Sequence, residues 1–253
     1  MCTVALIHRA VEGYPVVVLH SRYLGEGGGE EPPQPLGGVF GPRDVVGGGT
    51  WVGANEWGLV VAVTNQETYR VEEPGRSRGL LALDLLRGCK EALEAKNLLL
   101  RHPDRGLYRP ANFLVADPKE AWHVVWDRLD FALPVLGPVY AVGSLTRYPG
   151  VSLDERARKV YRDSRSRRER VYQALEGWEP CPLGEAVGRL MELSRDHHPQ
   201  PSTSSICWHS DHGRQTSATI MCIPQSGAPA LAYYCPGNPC QGTFQEYKAS
   251  NLG

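Results

Sequence analysis

Apolar and polar positions divide the first third of the chain into strand-like pairs. Residues 2–8 (Cys-Thr-Val-Ala-Leu-Ile-His) and 15–21 (Pro-Val-Val-Val-Leu-His-Ser) are short, β-branched runs. Arg9-Ala10-Val11-Glu12-Gly13-Tyr14 separates them, a pattern that predicts a β-hairpin. A loop centred near residue 12 puts Ile7 or His8 opposite Val16 or Val17. Carried outward, the same register sets Cys2 opposite Arg22 at the open end of the hairpin. A second hairpin is predicted from Thr50-Trp51-Val52-Gly53-Ala54 and Leu59–Thr64, with its turn at residues 55–58 and Asn65 at its end. Between the two hairpins, residues 25–41 are rich in Gly and Pro, which predicts a long surface loop without regular structure.

From Ser77 the period lengthens. Apolar residues at 80, 81, 83, 85, 86, 89, 92 and 93 form a broad helical stripe suited to packing on a sheet. Strands are expected again at 112–116, 122–126 and 139–142. Ser152-Leu153-Asp154-Glu155 has the spacing of a capping box and opens a charged helix to about Ala174. A shorter helix is expected over 184–194, then strands near 204–208, 216–223 and 229–234. Strands dominated by hairpins, with helices grouped between them, indicate an α+β chain of antiparallel sheets and layered helices. The glycines at 25 and 27–29 form no phosphate-binding turn before a helix, so a dinucleotide fold is not expected.

Length and charge narrow the partners. The 253 residues suit a single domain spanning 1–253. A net charge of −1 argues against nucleic acid, whose phosphates demand an excess of cations. The basic stretch 156–170 carries interspersed Asp and Glu and reads as a solvated helix face. No apolar run is long enough for a membrane span, and the run after Met1 is too short for a signal peptide. Seven cysteines at dissimilar spacings fit reduced thiols and a cytoplasmic location. The expected partner is a small molecule, and homo-oligomers are compatible with the composition.

Candidate chemistry gathers at the N-terminus. If Met1 is removed, Cys2 carries a thiol and a free α-amine on one carbon. An α-amine has a pKa of about 8, low enough to take the thiol proton directly or through one water. Arg22 beside the thiol would favour an anion, and the Asn65 amide is a natural oxyanion donor.

The stretches Met1-Cys2, Arg22 at a strand end, Gly48–Gly53 (GGTWVG) and Asn55–Asn65 (NEWGLVVAVTN) together resemble the transport-and-Golgi-organisation family, also called the NRDE family. Residues 55–65 are also similar to a segment of cholylglycine hydrolases and penicillin V acylases, and Ser77-Arg78-Gly79 to the family's S-R-G element. The resemblance covers the first hundred residues well and the rest loosely. It implies a four-layer αββα sandwich of the N-terminal nucleophile hydrolases, and an activity on a non-peptide amide or related acyl bond that needs neither cofactor nor metal. The alternative is a non-catalytic member that binds a lipid, acyl or haem-like ligand in the same pocket. By this resemblance Cys2 is the nucleophile, with Arg22 and Asn65 in supporting roles. The family's Asn-Arg-Asp-Glu reads Ser21-Arg22-Tyr23-Leu24 here, so the Asp after the arginine is missing, and Glu26 substitutes only if its loop folds back. The family's later S-N pair aligns with Gly143-Ser144, which makes Ser144 the remaining hydrogen-bond donor there. Trp51 and Tyr23 are candidate substrate-binding rings, with a core role the alternative for Trp51.

One further constellation stands apart. Cys207, His209, His212, Cys222, Cys235 and Cys240 could supply zinc ligands, with Cys207 and His209 on one face of a strand. Their spacing matches no established zinc motif, strand context predicts core thiols equally well, and a Cys235–Cys240 disulfide competes. The expectation is therefore no metal.

Overall fold

The computed structural model describes residues 2–24, 29–69, 75–103, 105–198, 200–210 and 214–249. The first hairpin forms as β1 (Thr3–His8) and β2 (Val16–Leu24), with Thr3 paired to Ser21 and His8 to Val16. The two strands are central in a six-stranded sheet. Its order is β10 (Val139–Val142), β1, β2, β11 (Arg214–Ile223), β12 (Leu231–Pro236) and β13 (Gln245–Lys248). The second sheet has seven strands in chain order: β3 (Glu30–Pro35), β4 (Val39–Asp44), β5 (Val52–Asn55), β6 (Val60–Asn65), β7 (Ala111–Ala116), β8 (Ala121–Trp126) and β9 (Phe131–Pro134). All of these strand pairings are antiparallel.

The two sheets stack face to face, and helices cover both outer faces. α1 (Arg78–Gly88) and α2 (Ala92–Arg101) lie on the seven-stranded sheet, and α3 (Glu155–Ala174) and α4 (Leu183–Ser194) on the six-stranded one. Alternation along β1 and β2 assigns each side chain to a layer. Val4, Leu6, Val16 and Val18 point inward against the seven-stranded sheet, whereas Ala5, Ile7, Val17 and Leu19 face α3 and α4. This is the expected αββα arrangement. Among the described residues no helix is long and apolar enough to cross a membrane.

Four expectations need correction. The supposed loop at 25–41 contains the β3–β4 hairpin, while residues 25–28, Glu26 included, lie outside the described residues. Pro32, Pro33 and Pro35 are tolerated because β3 is an edge strand, where a missing N–H costs no ladder bond, and its register shifts between Glu31 and Gln34. The apolar stripe after Ser77 is two helices. Asn55 Nδ2 takes the Leu86 and Cys89 carbonyls at 2.8 Å each and ends α1, while Asp117 Oδ2 accepts from Ala92 N at 2.7 Å and starts α2. Helix α3 is capped by Asp154, which accepts from Ala157 N at 2.7 Å, and not by Ser152. Residues 204–208 form a turn and bends, not a strand, because Cys207 N donates to Asp196 O and Trp208 N to Gln215 Oε1 instead of to a neighbouring strand.

Two glycine-bearing stretches meet near the candidate site. A Cβ on Gly49 would lie 2.0 Å from the Gly79 carbonyl carbon, and Thr50 N donates to Gly79 O at 3.1 Å. This contact seats the N-terminus of α1, with Arg78 in it, against the segment that carries Trp51 into β5.

Candidate active site

Cys2 stands one residue beyond the last paired position of β1, so the register sets it beside Arg22 on the inward face. It is buried, with 8% of its surface exposed. Its carbonyl is held by Ser144, whose Oγ donates to Cys2 O at 3.0 Å. Ser144 O in turn accepts from Glu67 N at 3.0 Å. Ser144 therefore reaches the backbone of Cys2, and its hydroxyl is occupied there.

Arg22 is nearly fully buried and carries two carboxylates. Nη1 donates to Glu30 Oε2 at 2.6 Å, and Nη2 donates to Asp44 Oδ2. Its guanidinium also lies over the Trp51 ring, 3.7 Å from the centroid. Arg22 is thus paired with one carboxylate from β3 and one from β4. Asp44 is held for this by Val46 N and Gly47 N, and Tyr234 donates to Glu30 at 3.0 Å. An arginine with both arms so engaged shapes the wall of the site and lends little net charge to a substrate.

The inward face at this end is polar where the rest of the layer is aliphatic. His20, Ser217 and Thr219 share it with Arg22. His20 Nε2 meets Val63 O at 3.0 Å, while His20 Nδ1, Ser217 Oγ, Thr219 Oγ1 and Trp51 Nε1 are buried without a partner in the structure. Burial, with Arg22 nearby, lowers the His20 pKa to about 4 and keeps the ring neutral.

Asn65 closes β6 on the facing sheet. Its Nδ2 donates to Glu67 Oε1 at 2.6 Å, and its carbonyl accepts from Asn112 at 2.7 Å. Burial pushes the Glu67 carboxyl up, but hydrogen bonds from Arg156 and Asn65 more than offset this and leave it below the usual range. Asn65, Glu67, Arg78, Arg109 and Arg156 line a cleft of about 430 Å³. Arg78 is half-buried, donates to Pro110 O at 2.9 Å, and lies within electrostatic reach of both Cys2 and Glu67. It belongs to Ser77-Arg78-Gly79, a stretch the sequence marks, though nothing in the spacing marks Arg78 as a site residue.

Tyr23 leaves this group, since strand alternation turns it to the outward face. There its hydroxyl donates to Ile206 O at 2.5 Å and its ring lies 5.3 Å from that of Trp208. Arg167 of α3 lies beside it, fully buried, with Nε donating to Thr3 Oγ1 at 2.9 Å and Nη1 to Thr203 O. Arg167 is a correction to the solvated-face reading of 156–170. Ala157, Val160, Ser164, Arg167 and Val171 form the buried stripe of α3, a period visible in the sequence once charge is ignored.

A slightly larger cleft, about 460 Å³, opens elsewhere between Trp57, Pro118 and Ile223. It lies at the far end of β1, where His8 Nε2 meets Asp117 O at 2.8 Å, and so has no access to Cys2.

Residues 1–220 match the family model described as Transport and Golgi organisation 2. No curated protein matches the chain. Among solved structures, the chain is similar to a mutant of conjugated bile acid hydrolase from Clostridium perfringens, with 11% identity, 99% of this chain and 97% of that one covered, and a TM-score of 0.55. A second variant of the same enzyme gives 12% identity over the same shares and a TM-score of 0.52. A Caenorhabditis elegans ortholog of N-acylethanolamine-hydrolyzing acid amidase gives 12% identity, 87% and 92% coverage, and 0.46. At such identities the bile acid hydrolase likeness establishes the fold alone, the αββα fold of N-terminal nucleophile hydrolases.

Proposed function

The chain belongs to the Transport and Golgi organisation 2 family, and we propose that it is an N-terminal-cysteine hydrolase acting on a non-peptide amide or related acyl bond of a small, anionic molecule. With Met1 removed, the Cys2 α-amine takes the thiol proton and the thiolate attacks the acyl carbon. The tetrahedral oxyanion collapses, and the leaving amine departs with the proton held by the α-ammonium. Water, deprotonated by the same amine, then hydrolyses the thioester and restores the thiol. Asn65 spends one amide hydrogen on Glu67 and keeps the other for the oxyanion. Ser144 acts by fixing the Cys2 backbone, and Arg22 by fixing Trp51 and the two carboxylates.

The observation that carries this reading is the setting of Cys2. It ends a central strand and is tethered through its carbonyl, and Arg78 of the neighbouring cleft is within reach. Arg78, Arg109 and Arg156 outnumber Glu67 in that cleft, which favours a carboxylate or phosphate on the substrate.

The test is intact mass of the purified chain, followed by hydrolysis of a panel of N-acyl amino acids by wild type and Cys2→Ala. A chain that begins at Cys2, is labelled there by a thiol electrophile, and loses turnover in Cys2→Ala supports the proposal. Retained Met1 with unchanged turnover in Cys2→Ala sinks it. A second reading, ligand binding without turnover, draws on the neutralised Arg22 and the engaged Asn65 amide. It predicts that Cys2→Ala binds an acyl, lipid or haem-like probe as tightly as wild type and that neither protein turns it over.

A further inference from the structure

A second group of nucleophilic side chains gathers on the outward side of the six-stranded sheet. His197 follows α4, Cys207 and His209 lie in the loop before β11, and Cys240 lies in the turn between β12 and β13. One donor atom from each falls within 4.8 Å of the other three. His209 Nε2 is 3.0 Å from His197 Nε2, 3.6 Å from Cys207 Sγ and 3.7 Å from Cys240 Sγ. Tetrahedral zinc with Zn–N of about 2.0–2.1 Å and Zn–S of about 2.3 Å sets N···S edges of about 3.5 Å and N···N edges of about 3.3 Å. The observed separations are close to those edges. Converging nitrogens and sulfurs from three loop segments satisfy few hydrogen bonds among themselves, whereas a cation at their centre would take one lone pair from each of the four.

We propose that His197, Cys207, His209 and Cys240 form a closed, structural zinc site. All four positions are filled by protein, which leaves no place for a reacting water and assigns the metal a cross-linking role. On binding, both thiols release their protons to solvent and the zinc dithiolate is neutral. The surroundings fit such a centre. Asn238 Nδ2 approaches Cys207 Sγ at 3.7 Å and donates to Trp208 O at 2.8 Å, orienting the ligand loop as supporting contacts around metal sites do. Arg195 Nε donates to Pro239 O at 3.0 Å, and Cys207 N to Asp196 O at 2.9 Å. The other cysteines separate cleanly. Cys222 is buried in the core beneath α4 and Cys235 packs on Gly242; all seven cysteines are free thiols, so no Cys235–Cys240 bridge forms. His212 lies outside the described residues. The sequence reading, which expects no metal, omits His197 and sets Cys207 and His209 on a strand, where the structure has a loop.

The site also braces the wall behind the nucleophile. Ile206 and Trp208, between the ligands, are the partners of Tyr23, and Thr203 is held by Arg167, which also holds Thr3. Metal content of the full, untagged chain, purified under reducing conditions without added metal, tests the assignment. About one zinc per chain is expected, lost in Cys207→Ser and in Cys240→Ser and kept in Cys235→Ser. Because those variants can misfold, the wild-type chain stripped by a chelator is titrated with cobalt(II). The absorption of tetrahedral cobalt with thiolate charge transfer is expected, saturating at one equivalent and displaced by zinc. A reduced wild-type chain that melts cooperatively, holds no zinc and gives no such cobalt spectrum overturns the proposal. So does an intact mass lacking the hydrogens of the Cys207 and Cys240 thiols, which would make the pair a disulfide.

Discussion

Arg22 and Arg167 approach the open end of the β1–β2 hairpin from opposite faces of the same sheet. On the inward face Arg22 meets Glu30 and Asp44, so a buried cation is answered by buried anions. On the outward face Arg167 meets the Thr3 hydroxyl and the Thr203 carbonyl, and its Nη2 has no partner. The inward arrangement is a charge network that cannot lose one member cheaply. The outward one is a brace between a strand and a loop, its hydrogen bonds going to neutral oxygens and its charge met only at a distance, by Asp163. Two residues of one type, equally buried, thus have different energetics because of what faces them.

The largest effect expected on the inward face is chemical. Cys2→Ala should lower turnover by more than about 10⁴-fold with the fold intact, measured by steady-state hydrolysis and circular dichroism. Arg22→Met should cost about 3–5 kcal/mol in denaturant unfolding, because it strands two buried carboxylates. Adding Glu30→Gln and Asp44→Asn to that variant should recover much of the loss; failure to do so would mean that the network is not the source. Acid should weaken the same face through His20. The unfolded chain protonates this histidine near its ordinary 6.5 and the folded chain only near 4, so its contribution is complete above about 6.5 and drains as pH falls. By pH 4 the loss from this group is about 3 kcal/mol, measurable as the difference in pH slope between wild type and His20→Gln. On the outward face Arg167→Met should cost only about 1–2 kcal/mol, since no anion is stranded. A cost equal to that of Arg22→Met would erase the distinction drawn above. Smallest, Ser144→Ala should cost about 1 kcal/mol in stability and affect kcat more than KM, because it frees the Cys2 backbone.

The inward face was the more legible in sequence. Paired strands of alternating residues fix a register from a loop centre alone, and the pairing of Thr3 with Ser21 through His8 with Val16 follows that register. What sequence did not disclose is who neutralises Arg22. Glu30 and Asp44 come from a hairpin disguised by three prolines, and nothing local links them to an arginine eight or more positions away. The outward face was hidden for another reason. Its ligands and carbonyls sit in loops, where no period records direction, so Cys207 and His209 read as neighbours on a strand face, Cys240 as a residue type alone, and His197 not at all. Arg167 lies between these cases, because its stripe position on α3 is periodic but its charge invites the opposite inference.

Gly49 and Gly79 join two separate glycine-bearing stretches of the chain into one structural feature. Their backbones touch closely enough that a side chain on Gly49 would collide with the start of α1, and one on Gly79 with the backbone of Gly49 and Thr50. The Gly48–Gly53 stretch and the Ser77–Gly79 stretch are therefore one contact written at two addresses. Neither position admits a side chain, and no compensating change at the other relieves the clash, because the atoms met are backbone on both sides.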